Sequence, residues 1–151
     1  MNAEIYSAKE RLKRLWKINE NIDSLYEQTA RIRSMAERIT PTLSSVNISG
    51  NGNNSRVENA AIRLIEIEKL LDKSIDALYE EYTFARNIIE KLTNPSERTI
   101  LEMRYLEHPH RTWEFIMRKM YLSKAQSFRL HSNALLHYAE LMKGEQHDGR
   151  N

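Results

Sequence analysis

The residues best suited to chemistry with a ligand lie between Arg111 and Ser132. Arg111, Arg118, Lys119, Lys124 and Arg129 carry positive charge; Ser123, Gln126 and Ser132 carry hydrogen-bonding groups; Ala125 and Phe128 offer apolar contact. Cations pair with phosphate oxygens, lysine or arginine reads the acceptor edge of guanine, and a small apolar or aromatic side chain packs on the thymine methyl. The chemistry these residue types would suit is recognition of double-stranded DNA, with no bond made or broken. From Arg111 to Lys143, six basic residues stand against only Glu114 and Glu140, a local balance of +4. Residues 57–92 carry eight acidic and five basic side chains, a balance of −3, and the whole chain is only +2. The distribution of charge, more than its total, therefore points to a phosphate-facing surface near the C-terminal end.

Two short helices must position these groups. Thr112 is placed to cap the first, whose apolar positions are Trp113, Ile116, Met117 and Met120. Ser123, with Gln126 three residues later, is a capping-box pattern for the second, which the sequence carries to about Met142. Gln126 is thus explained first as a capping residue, and the N-terminus it helps to close exposes N–H groups that suit a phosphate. If Leu130, Ala134 and Leu141 face the core, steps of 100° turn Lys124, Ala125, Phe128, Arg129 and Ser132 outward. A further helix precedes this pair: Asn94 caps, Pro95 suits the first turn, Glu97 lies three residues on, and Ile100, Leu101, Met103, Tyr105 and Leu106 are apolar. Three short helices in about fifty residues fit a helix-turn-helix domain.

The earlier part of the chain has a different pattern. Residues 3–39 read as one long helix, with Leu15, Ile18, Ile22, Leu25, Ile32 and Ile39 at alternating three- and four-residue spacing. In residues 57–92, Leu64, Leu71, Leu78, Ala85 and Leu92 recur every seventh residue, with Ile67, Ile75, Tyr82 and Ile89 between them. A seam this narrow and persistent suggests coiled-coil packing. Leu64, Leu71, Ile75, Leu78, Tyr82 and Ile89 are its candidate dimer or partner residues. "TPTLSSVNISGNGNNSRVEN" between the helices reads as a flexible loop, at about 40–56, that folds them back antiparallel. The expected organisation is all-α: a long antiparallel helical hairpin over 1–93, a helix-turn-helix domain over 94–142 and a disordered tail over 143–151.

Other chemistry finds little support. The chain has no cysteine, so disulfides and thiolate metal sites are excluded and a reducing cytoplasm is the natural setting. His108 and His110 flank a proline, and His131, His137 and His147 make no helical pair at i, i+4, so no metal site is expected. The carboxylates fall mostly at heptad flanks, where they read as surface ion pairs, and no enzyme or cofactor is expected. No apolar run is long enough for a membrane span.

Residues 112–135, "TWEFIMRKMYLSKAQSFRLHSNAL", resemble the helix-turn-helix of the fourth region of primary-type sigma factors: Thr112, Glu114, Ile116, Ser123, Leu130 and the Ala134–Leu135 pair stand at matching spacing. With "EKLTNPSERTILEMRYLE" before them, the arrangement is similar to ArpU-like transcriptional regulators of Gram-positive phages, including a phage family of unknown function. The resemblance implies a phage-encoded, sigma-like regulator of late or packaging genes, with the helix from Ser123 as recognition helix and contact with RNA polymerase permitted. Three positions depart from the pattern. Tyr121 stands where glycine is frequent, and a left-handed backbone there costs a non-glycine residue roughly 1–2 kcal/mol. Met117 replaces a small residue between the helices, and Ser127 an apolar one.

Two functions follow as expectations. The first is a sequence-specific DNA-binding regulator, a homodimer whose hairpins pair into a four-helix bundle and set two recognition helices on half-sites. The second is a coiled-coil interaction protein, whether adaptor, antirepressor or modulator of the transcription machinery, whose helix-turn-helix does not read DNA. Salt separates them: phosphate contacts weaken steeply with salt, and an aliphatic seam does not.

Overall fold

The computed structural model describes residues 2–45 and 51–149. All secondary structure among them is helical: α1 (Ala3–Ser45), α2 (Asn51–Glu90), α3 (Pro95–Leu101) continued by a π-helical turn (Glu102–Leu106), α4 (Trp113–Met120) and α5 (Lys124–Asp148). The chain divides into two compact units, one made of Met1–Asn19 with Leu78–Asn151, the other of Glu20–Ala77.

The first unit holds most of the buried side chains. Ala8, Leu12 and Leu15 of α1 and Ala85, Ile88, Ile89 and Leu92 from the end of α2 share one core with Ile100, Leu101, Met103, Tyr105, Ile116, Ala134, Leu135, Tyr138, Ala139 and Met142. Within this unit Arg11 pairs with Glu81 at 3.4 Å, and the Arg11 guanidinium lies 3.5 Å from the Phe84 ring centroid. The ends of α1 and α2 thus pack in the same unit as the residues that follow residue 93. A core built from about fifty residues is marginal, and the ends of α1 and α2 add apolar surface to it. Leu92 and the short helix after it are joined by a bond from Arg98 to the Leu92 carbonyl. Asn94 accepts from the Ser96 N–H at 2.9 Å, with Pro95 in the first turn. In the π turn, the Glu107 N–H reaches the Glu102 carbonyl at 3.0 Å.

In the second unit α1 and α2 run antiparallel. Asn21 Nδ2 donates to Ser74 Oγ at 2.9 Å, and Arg63 Nη2 to Gln28 Oε1 at 3.2 Å, so rising numbers on one helix meet falling numbers on the other. Ile22, Leu25 and Ile67 are buried, and Leu64 and Leu71 are half-buried. The side chain of Ile39 lies outside the described residues.

Two expected irregular segments are largely helical. Of the loop placed at about 40–56, α1 continues to Ser45 and α2 begins at Asn51, while residues 46–50 lie outside the described residues. At the other end, α5 passes the expected stop at Met142 and runs to Asp148; residues 150–151 lie outside the described residues. In both places an established helix adds one hydrogen bond for each residue it fixes, and this outweighs weak local propensity. Lys143 pairs with Glu4, and Glu145 with Lys91, so the last turns of α5 are also tied laterally within their unit.

Candidate nucleic-acid interface

The candidate site is built on α4, the turn after it and the start of α5. Thr112 caps α4, its Oγ1 accepting from the Phe115 N–H at 3.2 Å. The helix stops at Tyr121, whose backbone is left-handed (φ 56°, ψ 45°) and whose side chain is 93% exposed. Both the Tyr121 and Leu122 N–H groups bond back to the Met117 carbonyl, the latter at 2.9 Å, closing the helix end. Ser123 then opens α5 with both halves of a capping box: its Oγ accepts from the Gln126 N–H at 3.1 Å, and Gln126 Oε1 accepts from the Ser123 N–H at 2.9 Å. The turn that departs from glycine is thus made in the left-handed conformation, and the cap read from the sequence is formed.

The buried side of α5 is Ser127, His131, Ala134, Leu135, Tyr138, Ala139 and Met142. Ala134 faces inward as expected, whereas Leu130 and Leu141 sit half-buried at the margins. The opposite side carries Lys124, Ala125, Phe128, Arg129 and Ser132, all exposed. Arg118 and Lys119 are exposed at the end of α4, so the structure brings these basic residues to the two helix segments that meet at the turn. Among the described residues none of Arg118, Lys119, Lys124 and Arg129 is within 4 Å of a carboxylate.

Two expected contacts have other commitments. Arg111 pairs with Glu107 at 2.6 Å and its guanidinium lies 4.6 Å from the Phe115 centroid, so much of its charge is answered within the chain. Phe128, 40% exposed, meets Trp113 edge to face at 5.1 Å, and the Lys124 ammonium lies 5.8 Å from its centroid. Its outward position is partly a packing position, with one side of the ring left to solvent.

Behind this surface lies a cluster that the sequence did not disclose. The Arg104 guanidinium lies 5.0 Å from the Trp16 ring and 4.8 Å from the Trp113 ring, and donates to the Arg111 carbonyl at 2.8 Å. Burial lowers its pKa from the ordinary guanidinium value. Trp16 stacks on His110 at 4.1 Å and on Tyr105 at 5.3 Å, and its indole N–H donates to the Arg104 carbonyl at 3.0 Å. Tyr105 Oη and His131 Nε2 share a buried hydrogen bond of 2.7 Å, and Trp113 meets His131 edge-on at 4.9 Å. Burial, aided by the charges of Lys9 and Arg104, brings His131 down to about pKa 4, so it is neutral at ordinary pH. Nothing in local spacing marks Trp16 for these partners, because its contacts join residues far apart in the chain. Among the described residues, no group of three His, Asp or Glu side chains converges as a metal site. No helix is long and apolar enough to cross a membrane.

The coiled-coil seam is divided by the same packing. Ile89 is fully buried in the first unit's own core and is not free to meet a partner, whereas Ile75 and Tyr82 are exposed and Leu64, Leu71 and Leu78 are half-buried. A seven-residue repeat in one helix does not distinguish cover supplied by the same chain from cover supplied by another.

Fold and site together define an all-α protein in which a capped helix, a left-handed turn and a second capped helix present a basic outer face. Residues 38–139 match the family described as "Protein of unknown function (DUF1492)", and the chain belongs to that family. No curated protein and no solved structure matches it.

Proposed function

We propose that this protein is a sequence-specific DNA-binding regulator of transcription, of the sigma-like kind carried by Gram-positive phages, with α5 as its recognition helix. The observation that carries the reading is the exposed set Arg118, Lys119, Lys124 and Arg129, without carboxylate partners among the described residues, around the N-terminus capped by Ser123. Lys124 and Arg129 are five residues apart, about 7.5 Å along α5, and both are exposed, so a helix in the major groove could set one on a base edge and the other on a phosphate. Arg118 and Lys119 contribute phosphate contacts from α4, and the first-turn N–H groups of α5 add a favourable dipole for a phosphate. Arg111 contributes less, because Glu107 competes for it. A homodimer would present two recognition helices to half-sites one or more helical turns apart. RNA polymerase is a further protein partner consistent with a sigma-like regulator.

The test is fluorescence anisotropy of the full chain on DNA from around its own gene and from downstream promoters, at low and physiological salt. The expected outcome is binding that prefers some fragments and weakens steeply with salt. A Lys124→Ala/Arg129→Ala double variant should bind roughly 30-fold or more weakly, with the logarithmic salt slope reduced by about 2. Absence of binding, or binding unchanged in the double variant, removes the recognition-helix assignment and leaves the interaction-protein reading, in which α5 serves only its own core.

A further inference from the structure

We infer that one flank of the helical hairpin formed by Glu20–Ala77 is a self-association surface, and that its occupant is the same flank of a second copy of this chain. The two flanks of this hairpin differ in chemistry. One carries polar bonds and many charges: Asn21 bonds Ser74, and Arg63 bonds both Gln28 and Glu66, the latter at 3.2 Å, beside Lys69, Asp72, Lys73 and Asp76. The other is a groove lined by Tyr26, Arg33, Leu64, Ile65, Glu68 and Leu71. Tyr26 and Ile65 are 55% and 53% exposed there. Two helices cannot cover an apolar stripe on their flank as well as the seam between them, and a second pair can.

The charges at this groove select the occupant. Among the described residues, neither Arg33 nor Glu68 forms an ion pair. The Asn21–Ser74 and Gln28–Arg63 bonds fix the antiparallel register. In that register Glu68 lies between the two bonded levels, while Arg33 lies beyond the Gln28 level. The cation and the anion therefore stand toward opposite ends of the groove, roughly 9–15 Å apart along the helix axes. Leu64 and Ile65 lie between them. A two-fold axis through that apolar middle sets Arg33 of each copy against Glu68 of the other, and stacks Tyr26 and Ile65 of both copies at the centre. Such self-complementarity is the requirement of an isologous dimer. The inference deepens the dimer reading of the regulator and rests on it. Size measured without DNA keeps its failure separate from any failure of DNA binding.

The test is sedimentation velocity of the full chain over a range of concentrations, with circular dichroism to verify that each variant stays helical. The wild-type chain should be dimeric. Arg33→Glu and Glu68→Arg each set like charges together twice across the axis and should weaken the dimer by about tenfold or more. The Arg33→Glu/Glu68→Arg double variant should return to near wild-type affinity. An equimolar mixture of the two single variants should form heterodimers tighter than either homodimer, because every pair across that axis is again opposite in sign. Ile65→Asp should give a helical monomer. A monomeric wild-type chain, a dimer indifferent to charge reversal, a dimer that survives Ile65→Asp, or a monomer that instead binds a different protein through this flank would overturn the inference.

Discussion

Ser127 concentrates the conflict at the level of single residues. It occupies the position in the second helix where an apolar side chain is usual, and its fully buried hydroxyl has no hydrogen-bond partner among the described residues. A buried hydroxyl without a partner costs on the order of 1–3 kcal/mol. Ser127→Ala removes that cost, creates only a small void and improves helix propensity. It should stabilise the chain by about 1 kcal/mol in urea unfolding and leave any DNA affinity unchanged, since the outer side of α5 is untouched. A loss of stability would mean that the hydroxyl is satisfied in solution, for instance by water. Tyr121 was legible as an anomaly against the helix-turn-helix pattern that the segment resembles, because backbone handedness at the turn is a local demand. The missing partner of Ser127 was not, because satisfaction depends on which groups the other helices bring.

Among elements, capping was the most legible feature. Asn94, Thr112 and Ser123 act over one turn, so the residues that carry the signal also carry the bonds. The polar part of the attachment of α5 to the segment 95–106 was not legible, and it holds two histidines of opposite behaviour. His131, buried against Tyr105 and Trp113, is held down to about pKa 4, below its unfolded value near 6.5. The unfolded chain therefore binds the proton first, and stability present above pH 6.5 is lost as pH falls toward 4. His137 bonds the buried Glu97 carboxylate at 2.8 Å, and this bond raises its pKa. Its contribution is full below pH 6.5 and fades as pH rises through the raised value, but the imidazole is half exposed and solvent weakens the pair. His131 should dominate: unfolding free energy should fall by about 2 kcal/mol from about pH 7 to about pH 5, above most carboxylate titration. Denaturant titrations at the two pH values check this. In His131→Leu the acid-side loss should vanish or reverse sign, leaving the His137 contribution, whatever the variant's baseline stability.

For the whole molecule, the decisive question is which stretches fold together. A division at residue 93 is natural from the sequence, where a heptad pattern gives way to short capped helices. Yet those helices have 7, 8 and 25 residues, and the first two are below the length at which an isolated helix holds its own in water. Their apolar sides are covered by Ala8, Leu12, Leu15, Ala85, Ile88, Ile89 and Leu92, none of which a fragment beginning at residue 94 would contain. Trp16 adds a second dependence: without it the Arg104 guanidinium loses one of its two aromatic faces, and the Arg104 carbonyl loses its indole donor. A fragment of residues 94–149 should therefore show reduced helicity and no cooperative thermal transition, and should lose any DNA affinity that the full chain has. Trp16→Ala in the full chain should act in the same direction but more mildly, destabilising by about 3 kcal/mol, the usual cost of truncating a packed tryptophan. Circular dichroism melts of the fragment, the variant and the full chain decide the matter. A sharp transition in the fragment would mean that the three C-terminal helices close their own core, and that the ends of α1 and α2 only lie against a domain already formed.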